Sequence, residues 1–249
     1  YKRDQIVGTT EGNKLSWGNW IICNAAGDWA FRAKSTEIQL PFDIKYPAAQ
    51  TQTGWKGSGT ADDPWLIETP ADLLALSDSV NYVSAVQVSA RCYKAFEGKY
   101  FKQTKAINLS GINFPPIGGF DEMYRFAGHY DGGNKTISNL YVNSGKAGDA
   151  ALFGAVDTVA SIKNVKMTNP KVIDEYMYAG TVAAYCQGTL ENITVTNGDV
   201  TSIHCAGGVA GCSGPASNVS FTGNVKGESQ IGGVFGVLRW PGKNLVATN

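Results

Sequence analysis

The sequence predicts an all-β chain wound as a parallel β-helix, and three observations predict it. The first is a recurring phrase in which Asn follows a polar residue. It appears as Ile137-Ser138-Asn139-Leu140, Ile162-Lys163-Asn164-Val165, Leu190-Glu191-Asn192-Ile193, Ala216-Ser217-Asn218-Val219 and Gly242-Lys243-Asn244-Leu245, with its Asn residues 25, 28, 26 and 26 positions apart. The second is a phrase that keeps step with it: Ala151-Leu152-Phe153-Gly154, Thr181-Val182-Ala183-Ala184, Gly208-Val209-Ala210-Gly211 and Gly233-Val234-Phe235-Gly236. The third is what lies between them, short β-branched runs split by Gly, Asn and Asp with no helical period. A period in this range marks a solenoid, and the missing helical period excludes helix-pair repeats. Propeller blades are longer, and leucine-rich repeats need a denser Leu pattern. Coils of two or three short strands, stacked at about 4.8 Å, fit both period and composition.

Taken in order, residues 1–57 lack the repeat and read as a β-rich module or cap. Asn24-Ala25-Ala26-Gly27-Asp28 separates two strand-like runs, which suggests a hairpin. Trp17, Trp20, Trp29 and Trp55 could stack on sugars or simply pack a small core. Residues 58–117 read as a cap and first coil. There Trp65-Leu66-Ile67 is a short strand, and Thr69-Pro70-Ala71-Asp72 is a helix start, with Thr69 as N-cap, Pro70 at the first helical position and an acid at the third. The apolar face of Leu73, Leu74 and Leu76 predicts a helix ending near Asp78, suited to cover the open edge of the first coil. Ile107-Asn108-Leu109 resembles an irregular early copy of the Asn phrase, and Asp131-Gly132-Gly133-Asn134 is a turn by its chemistry. Residues 118–249 are the regular coils. They stop within a repeat, and the chain begins at Tyr1 without Met, so it reads as a piece of a longer protein.

In this register Asn139, Asn164, Asn192, Asn218 and Asn244 turn inward and form one ladder. A side-chain amide both donates and accepts, so stacked copies can bond one another and fix register. The residues before them face out, which places Lys163 and Glu191 on adjacent rungs. Ile137, Ile162, Leu190 and Ala216 form one inward column, and Leu140, Val165, Ile193, Val219 and Leu245 another.

Lys+Arg and Asp+Glu are 21 each, so the chain is formally neutral. A neutral chain without a basic run argues against nucleic acid and anionic membrane surfaces. No apolar run reaches the length of a membrane span. The five Cys form no CxxC pair and no Cys/His cluster, so neither a metal ion nor a cofactor is expected. Cys186 and Cys212 lie on adjacent repeats, and either a disulfide or buried free thiols would fit.

From Gly59-Thr60-Ala61-Asp62-Asp63-Pro64-Trp65, through Phe96-Glu97-Gly98-Lys99-Tyr100-Phe101, to Tyr130-Asp131-Gly132-Gly133-Asn134-Lys135-Thr136-Ile137-Ser138-Asn139-Leu140 and the G-[LV]-x-G phrases, the chain resembles bacterial cell-surface proteins with GLUG-type repeats. That resemblance implies a right-handed, pectin-lyase-like parallel β-helix. It also implies a secreted or surface-anchored, adhesin-like protein, and it supplies no catalytic residues.

For function the sequence favours a non-catalytic binding protein, engaging a glycan or an extracellular protein, outside the cell or on its surface. In the aligned repeats no outward column holds two acids, as a glycoside hydrolase would require. His129 has no acid or nucleophile near it in sequence. Tyr124, Tyr130, Tyr176, Tyr178, Tyr185 and Trp240 fall on or beside loops at coil edges, where aromatic platforms could hold sugars or partners. A β-helix polysaccharide lyase or glycoside hydrolase, and a purely structural stalk in a larger surface protein, are the alternatives.

Overall fold

The regular coil, as in residues 161–186, runs strand, Asn corner, strand, Asn corner, strand, and then two further short strands. The computed structural model describes residues 54–86, 93–119, 124–145 and 148–239, together with the strands Thr10–Glu11, Lys14–Leu15, Gly18–Cys23, Trp29–Ser35 and Ile38–Gln39. Trp240 and Asn244 lie outside the described residues, as does most of 1–57, including the 24–28 turn. The two strands that flank that turn, Gly18–Cys23 and Trp29–Ser35, pair antiparallel.

From Trp65 onward every strand pairing is parallel, and the coils stack as a β-solenoid of about five turns. A broad ten-stranded sheet carries the first three strands of each coil. A six-stranded sheet runs from Tyr93–Ala95 to Phe235–Leu238, and a three-stranded sheet joins Tyr178–Ala179, Cys205–Gly207 and Ile231–Gly232. Coil length varies: Ile137 to Met167 is 30 residues, Ile162 to Leu190 is 28 and Leu190 to Ala216 is 26.

The register corrects the sequence reading of Asn139. The coils that begin at Ser161 and Thr189 each have two Asn corners, not one. At the first, Asn164 Nδ2 donates to Asp131 Oδ1 (2.9 Å), Asn192 Nδ2 to Asn164 Oδ1 (3.1 Å) and Asn218 Nδ2 to Asn192 Oδ1 (2.8 Å). At the second, Asn139 Nδ2 donates to Asn108 Oδ1 (2.9 Å) and Asn197 Nδ2 to Asn169 Oδ1 (3.4 Å). The same apolar–polar–Asn phrase writes both corners, as in Ile137-Ser138-Asn139 and Ile162-Lys163-Asn164, so the spacing of 25 between them joins two different ladders. Ile137 accordingly stacks on Ile107 and Met167, while Ile162 stacks on Tyr130 and Leu190.

Nor do these Asn point into the core. Asn139, Asn164 and Asn192 are half-buried and Asn218 is exposed. Six of these seven Asn, all but Asn108, have left-handed backbone, with φ of 57°, 55° and 53° at Asn139, Asn164 and Asn169, and 54°, 56° and 50° at Asn192, Asn197 and Asn218. A non-Gly residue rarely adopts that conformation, and Asn is among the few that tolerate it. The chain turns at Asn because Asn can take the corner and then bond its neighbours. The second ladder ends at Asn197. There the last coil is one residue shorter, 26 from Val195 to Phe221 but 25 from Gly198 to Gly223, and Thr222 Oγ1 accepts from Asn197 N–H instead.

The helix spans Pro70–Val86, two turns beyond its expected end. Asp72 Oδ2 accepts from Glu68 N–H and Thr69 N–H, and Thr69 Oγ1 accepts from Asp72 N–H, a reciprocal cap. Its second half persists because tertiary contacts hold it. Val80 is fully buried, Asn81 Nδ2 donates to Pro116 O, and Asn81 Oδ1 accepts from Gly118 N–H. Beside the helix sits an aromatic cluster in which Trp55 meets Phe101 edge-on at 5.1 Å and Trp65 at 5.6 Å.

Leucine at position 192 would lose both amide bonds and resist the corner's positive φ. Asn192→Leu is therefore expected to lower unfolding free energy by about 1–3 kcal/mol in chemical denaturation. A loss under about 1 kcal/mol would show that the amide does not hold the corner.

Candidate functional site

The strands Lys171–Asp174, Thr189–Ser202 and Ala216–Gly227 end at a corner that carries no Asn. Here the turns 175–177, 203–204 and 228–230 stack on one another. Asp174, at the head of the first, is buried and bonded throughout. Its oxygens accept from Ser144 Oγ (3.0 Å), Ser202 Oγ (3.0 Å) and Tyr176 N–H (3.1 Å). Burial pushes its carboxyl above the usual range, and hydrogen bonds from Ser144, Ser202 and the Tyr176 and Met177 backbone pull the other way.

Just past this corner lies a recess of about 260 Å³, lined by Met177, Tyr178, His204, Cys205, Gln230 and Arg239 together with Ser229. Tyr178 and Cys205 are register partners on its floor, and Cys205 Sγ–H donates to Gln230 Oε1 (2.7 Å). Arg239 is exposed and forms no ion pair with a described residue. Desolvation raises the pKa of Tyr178, Tyr185, Cys205 and Cys212, and the Arg239 charge opposes that rise at each. The Cys212 thiol is nevertheless pushed up to about 11, and the fully buried Cys186 thiol to about 12. Cys186, Cys205 and Cys212 are free, so the Cys186–Cys212 bridge is not formed. Neutral thiols of this kind are poor nucleophiles.

The six predicted aromatic positions scatter. Tyr130 is a core residue with no exposed surface, its hydroxyl donating to Gln103 Oε1 (3.1 Å), and burial raises its pKa. Tyr178 (6% exposed) and Tyr185 (4%) pack on each other at 5.4 Å, and Arg125 lies 5.6 Å over the Tyr185 ring. None of these three offers an open ring face. Tyr176, at 42%, does, and it stands at the corner beside the recess. Tyr124 lies in the strand Tyr124–Phe126, and Trp240 falls outside the described residues.

Two groupings escaped the sequence reading because their members are about 30 residues apart. His129 is not isolated: its Nδ1 lies 2.8 Å from Ser161 Oγ, and its ring stacks on Tyr100 at 4.5 Å. A hydroxyl–imidazole pair is part of a nucleophilic triad, yet no carboxylate among the described residues bonds this ring to orient it. One outward column also holds two acids, contrary to expectation: Lys102, Asp131, Lys163 and Glu191 are register partners in sequence. Asp131 and Glu191 stand two rungs apart, roughly 9.6 Å at about 4.8 Å per rung. Lys163 stands between them, its Nζ 3.9 Å from Asp131 Oδ2, and Asp131 Oδ1 also accepts from Gly133 N–H. Among the described residues, no three His, Cys, Asp or Glu side chains converge to hold a metal ion.

Fold and site together define a β-solenoid with a small aromatic and cationic recess at one corner. No protein-family model matches the chain. A stretch of 183 residues, 73% of the chain, is 34% identical to halomucin from Haloquadratum walsbyi, of which it spans 2%. A stretch of 151 residues, 57% of the chain, is 28% identical to a protein provisionally described as a Gly-rich membrane protein from Evansella cellulosilytica, of which it spans 15%. The chain thus spans only a small part of either relative. A solved structure, that of a provisionally assigned immunoglobulin A1 protease from Bacteroides ovatus, aligns with a TM-score of 0.48 and 18% identity over 74% of this chain and 64% of that one. Among the described residues, no helix is long and apolar enough to cross a membrane.

Two measurements check the electrostatics of this region. Carboxyl NMR should show Asp174 titrating above 3.8. Because its folded pKa is raised, its contribution to stability is full below about pH 3.9 and is lost as pH rises through the folded value, so wild type should lose stability relative to Asp174→Asn over that window. A midpoint at or below 3.8 would contradict the burial argument. Iodoacetamide at pH 7.5 should leave Cys186 and Cys212 unmodified in the folded protein and label both after denaturation. Rapid labelling of the folded protein would overturn the picture of protonated, buried thiols.

Proposed function

We propose that this chain is the binding part of a secreted or cell-surface protein, adhesin-like and non-catalytic, and that it engages a glycan or an extracellular protein. The observation that carries this reading is the corner recess. It offers a cation at Arg239 and an amide at Gln230, with the exposed Tyr176 ring at the corner beside it, while its thiol is neutral and the neighbouring Asp174 is already bonded. Support comes from the resemblance to GLUG-type surface proteins and from relatives named as a halomucin and a Gly-rich membrane protein. The recess is smaller than most small-molecule sites, which suits a terminal sugar or one side chain of a partner rather than a whole cofactor.

The hydrolase alternative rests on Asp131 and Glu191, whose separation lies at the upper limit for inverting glycosidases. Lys163 is the register partner of both and pairs with Asp131 at 3.9 Å. In the stalk alternative the same fold would carry no specific site.

A glycan array and pull-downs with matrix proteins test the reading, using Tyr176→Ala and Arg239→Ala as controls. Binding that weakens at least about tenfold in each variant is expected. Absence of binding on both platforms would leave the stalk. Release of new reducing ends from a polysaccharide, abolished by Asp131→Asn or Glu191→Gln, would replace binding with hydrolysis.

A further inference from the structure

On the first strand of the early coils, the outward positions form a second surface away from the corner recess. Tyr100, His129, Ser161 and Thr189 are register partners and make one column along the solenoid axis. Tyr100 and His129 are half-buried, their rings 4.5 Å apart and inclined by 30°, and Ser161 Oγ continues the column through His129 Nδ1. Lys102 lies two residues along from Tyr100 on the same face, and Lys99 precedes it, with Nζ 5.8 Å over the Trp65 ring. Both lysines are exposed, and neither forms an ion pair with a described residue. The acid in the neighbouring column, Asp131, is bonded to Asn164 and Gly133 and paired with Lys163, and Glu191 stands two rungs beyond it.

We infer that this strip is a binding site for an acidic saccharide, lying along the axis with a uronate-type carboxylate at the Lys99 and Lys102 end. A stacked pair of half-exposed rings presents aromatic surface against which the C–H face of a sugar packs. Hydroxyls at Ser161 and Thr189 recur at the rung spacing, about 4.8 Å, and meet successive polar groups of an extended chain. The charge decides the class. Lys99 and Lys102, neither of them in an ion pair with a described residue, stand at one end; Asp131, the register partner of Lys102, is held by Lys163, Asn164 and Gly133, and Glu191 at the other end repels an acid and fixes the polarity of the bound chain. A core-packing role does not account for the arrangement, because the inward partners of these strands are Phe101, Tyr130, Ile162 and Leu190. The site is separate from the recess and survives if the recess binds nothing.

The test uses isothermal titration of the chain with oligogalacturonate and with the same oligomer fully methyl-esterified, which keeps the sugar and removes the charge. The charged form is expected to bind, and the ester to bind at least about tenfold more weakly. Tyr100→Ala should abolish binding, Tyr100→Phe should retain it, and Lys99→Ala with Lys102→Ala should reduce binding of the acid but not of the ester. Thermal melts of each variant show that the solenoid is intact. Equal binding of both oligomers would overturn the acidic class, and absence of binding by either would overturn the site. Binding that ignores Tyr100→Ala but is lost in Arg239→Ala would move the ligand to the recess.

Discussion

Everything else in this solenoid depends on a corner that an L-residue can turn and still bond. A coil must bend sharply at the same place on every rung, and the left-handed conformation does so at a cost that most side chains cannot meet. Asn meets it, and its amide then joins the rung before it. Asp131, Asn164, Asn192 and Asn218 form one such series, with donation always from the later rung to the earlier. The series begins at a carboxylate, which accepts only, so Asp at the head of the ladder is chemically consistent. Because each corner is pinned in register, the strands between keep their apolar residues inward over successive coils.

A rigid stack of this kind separates architecture from recognition. Inward positions are occupied by the core and corner positions by Asn, so chemistry is confined to outward columns and to the corner that lacks Asn. Both surfaces with aromatic and cationic character lie there: the Tyr100–His129–Ser161 column beside Lys99 and Lys102, and the recess between Tyr178, Gln230 and Arg239. Outward charges also alternate along the axis, Lys102, Asp131, Lys163 and Glu191, which matches opposite signs on neighbouring rungs and supports register without contributing to the core.

The solenoid itself was legible because its two phrases repeat, and the helix start was legible because Thr69, Pro70 and Asp72 are a local signal. What could not be read locally was read wrongly. Asn139 reads as part of the wrong ladder because both corners are spelled alike, and only the stacking of its strand on Ile107–Asn108 and residues 166–168 shows that it belongs to the second corner, where its amide bonds Asn108. Tyr130, Tyr178 and Tyr185 read as edge aromatics because they fall on or beside expected loops, yet strand alternation buries Tyr130 and the packing of two sheets buries the others. His129 seemed alone because its neighbours, Tyr100 and Ser161, are one coil away in either direction. In a parallel stack the contacts that make a site are separated by a full period, and a sequence shows them only once the register is known.

The most direct test of the central claim separates the amide bond from the corner conformation. Glycine accepts the left-handed φ without strain, so Asn→Gly removes only the ladder. A double-mutant cycle on Asn164→Gly and Asn192→Gly, measured by chemical denaturation, should give a coupling of about 0.5–1.5 kcal/mol, the net value of one hydrogen bond. Additivity within about 0.3 kcal/mol would show that the two amides do not support each other, and that the corners are set by backbone preference alone.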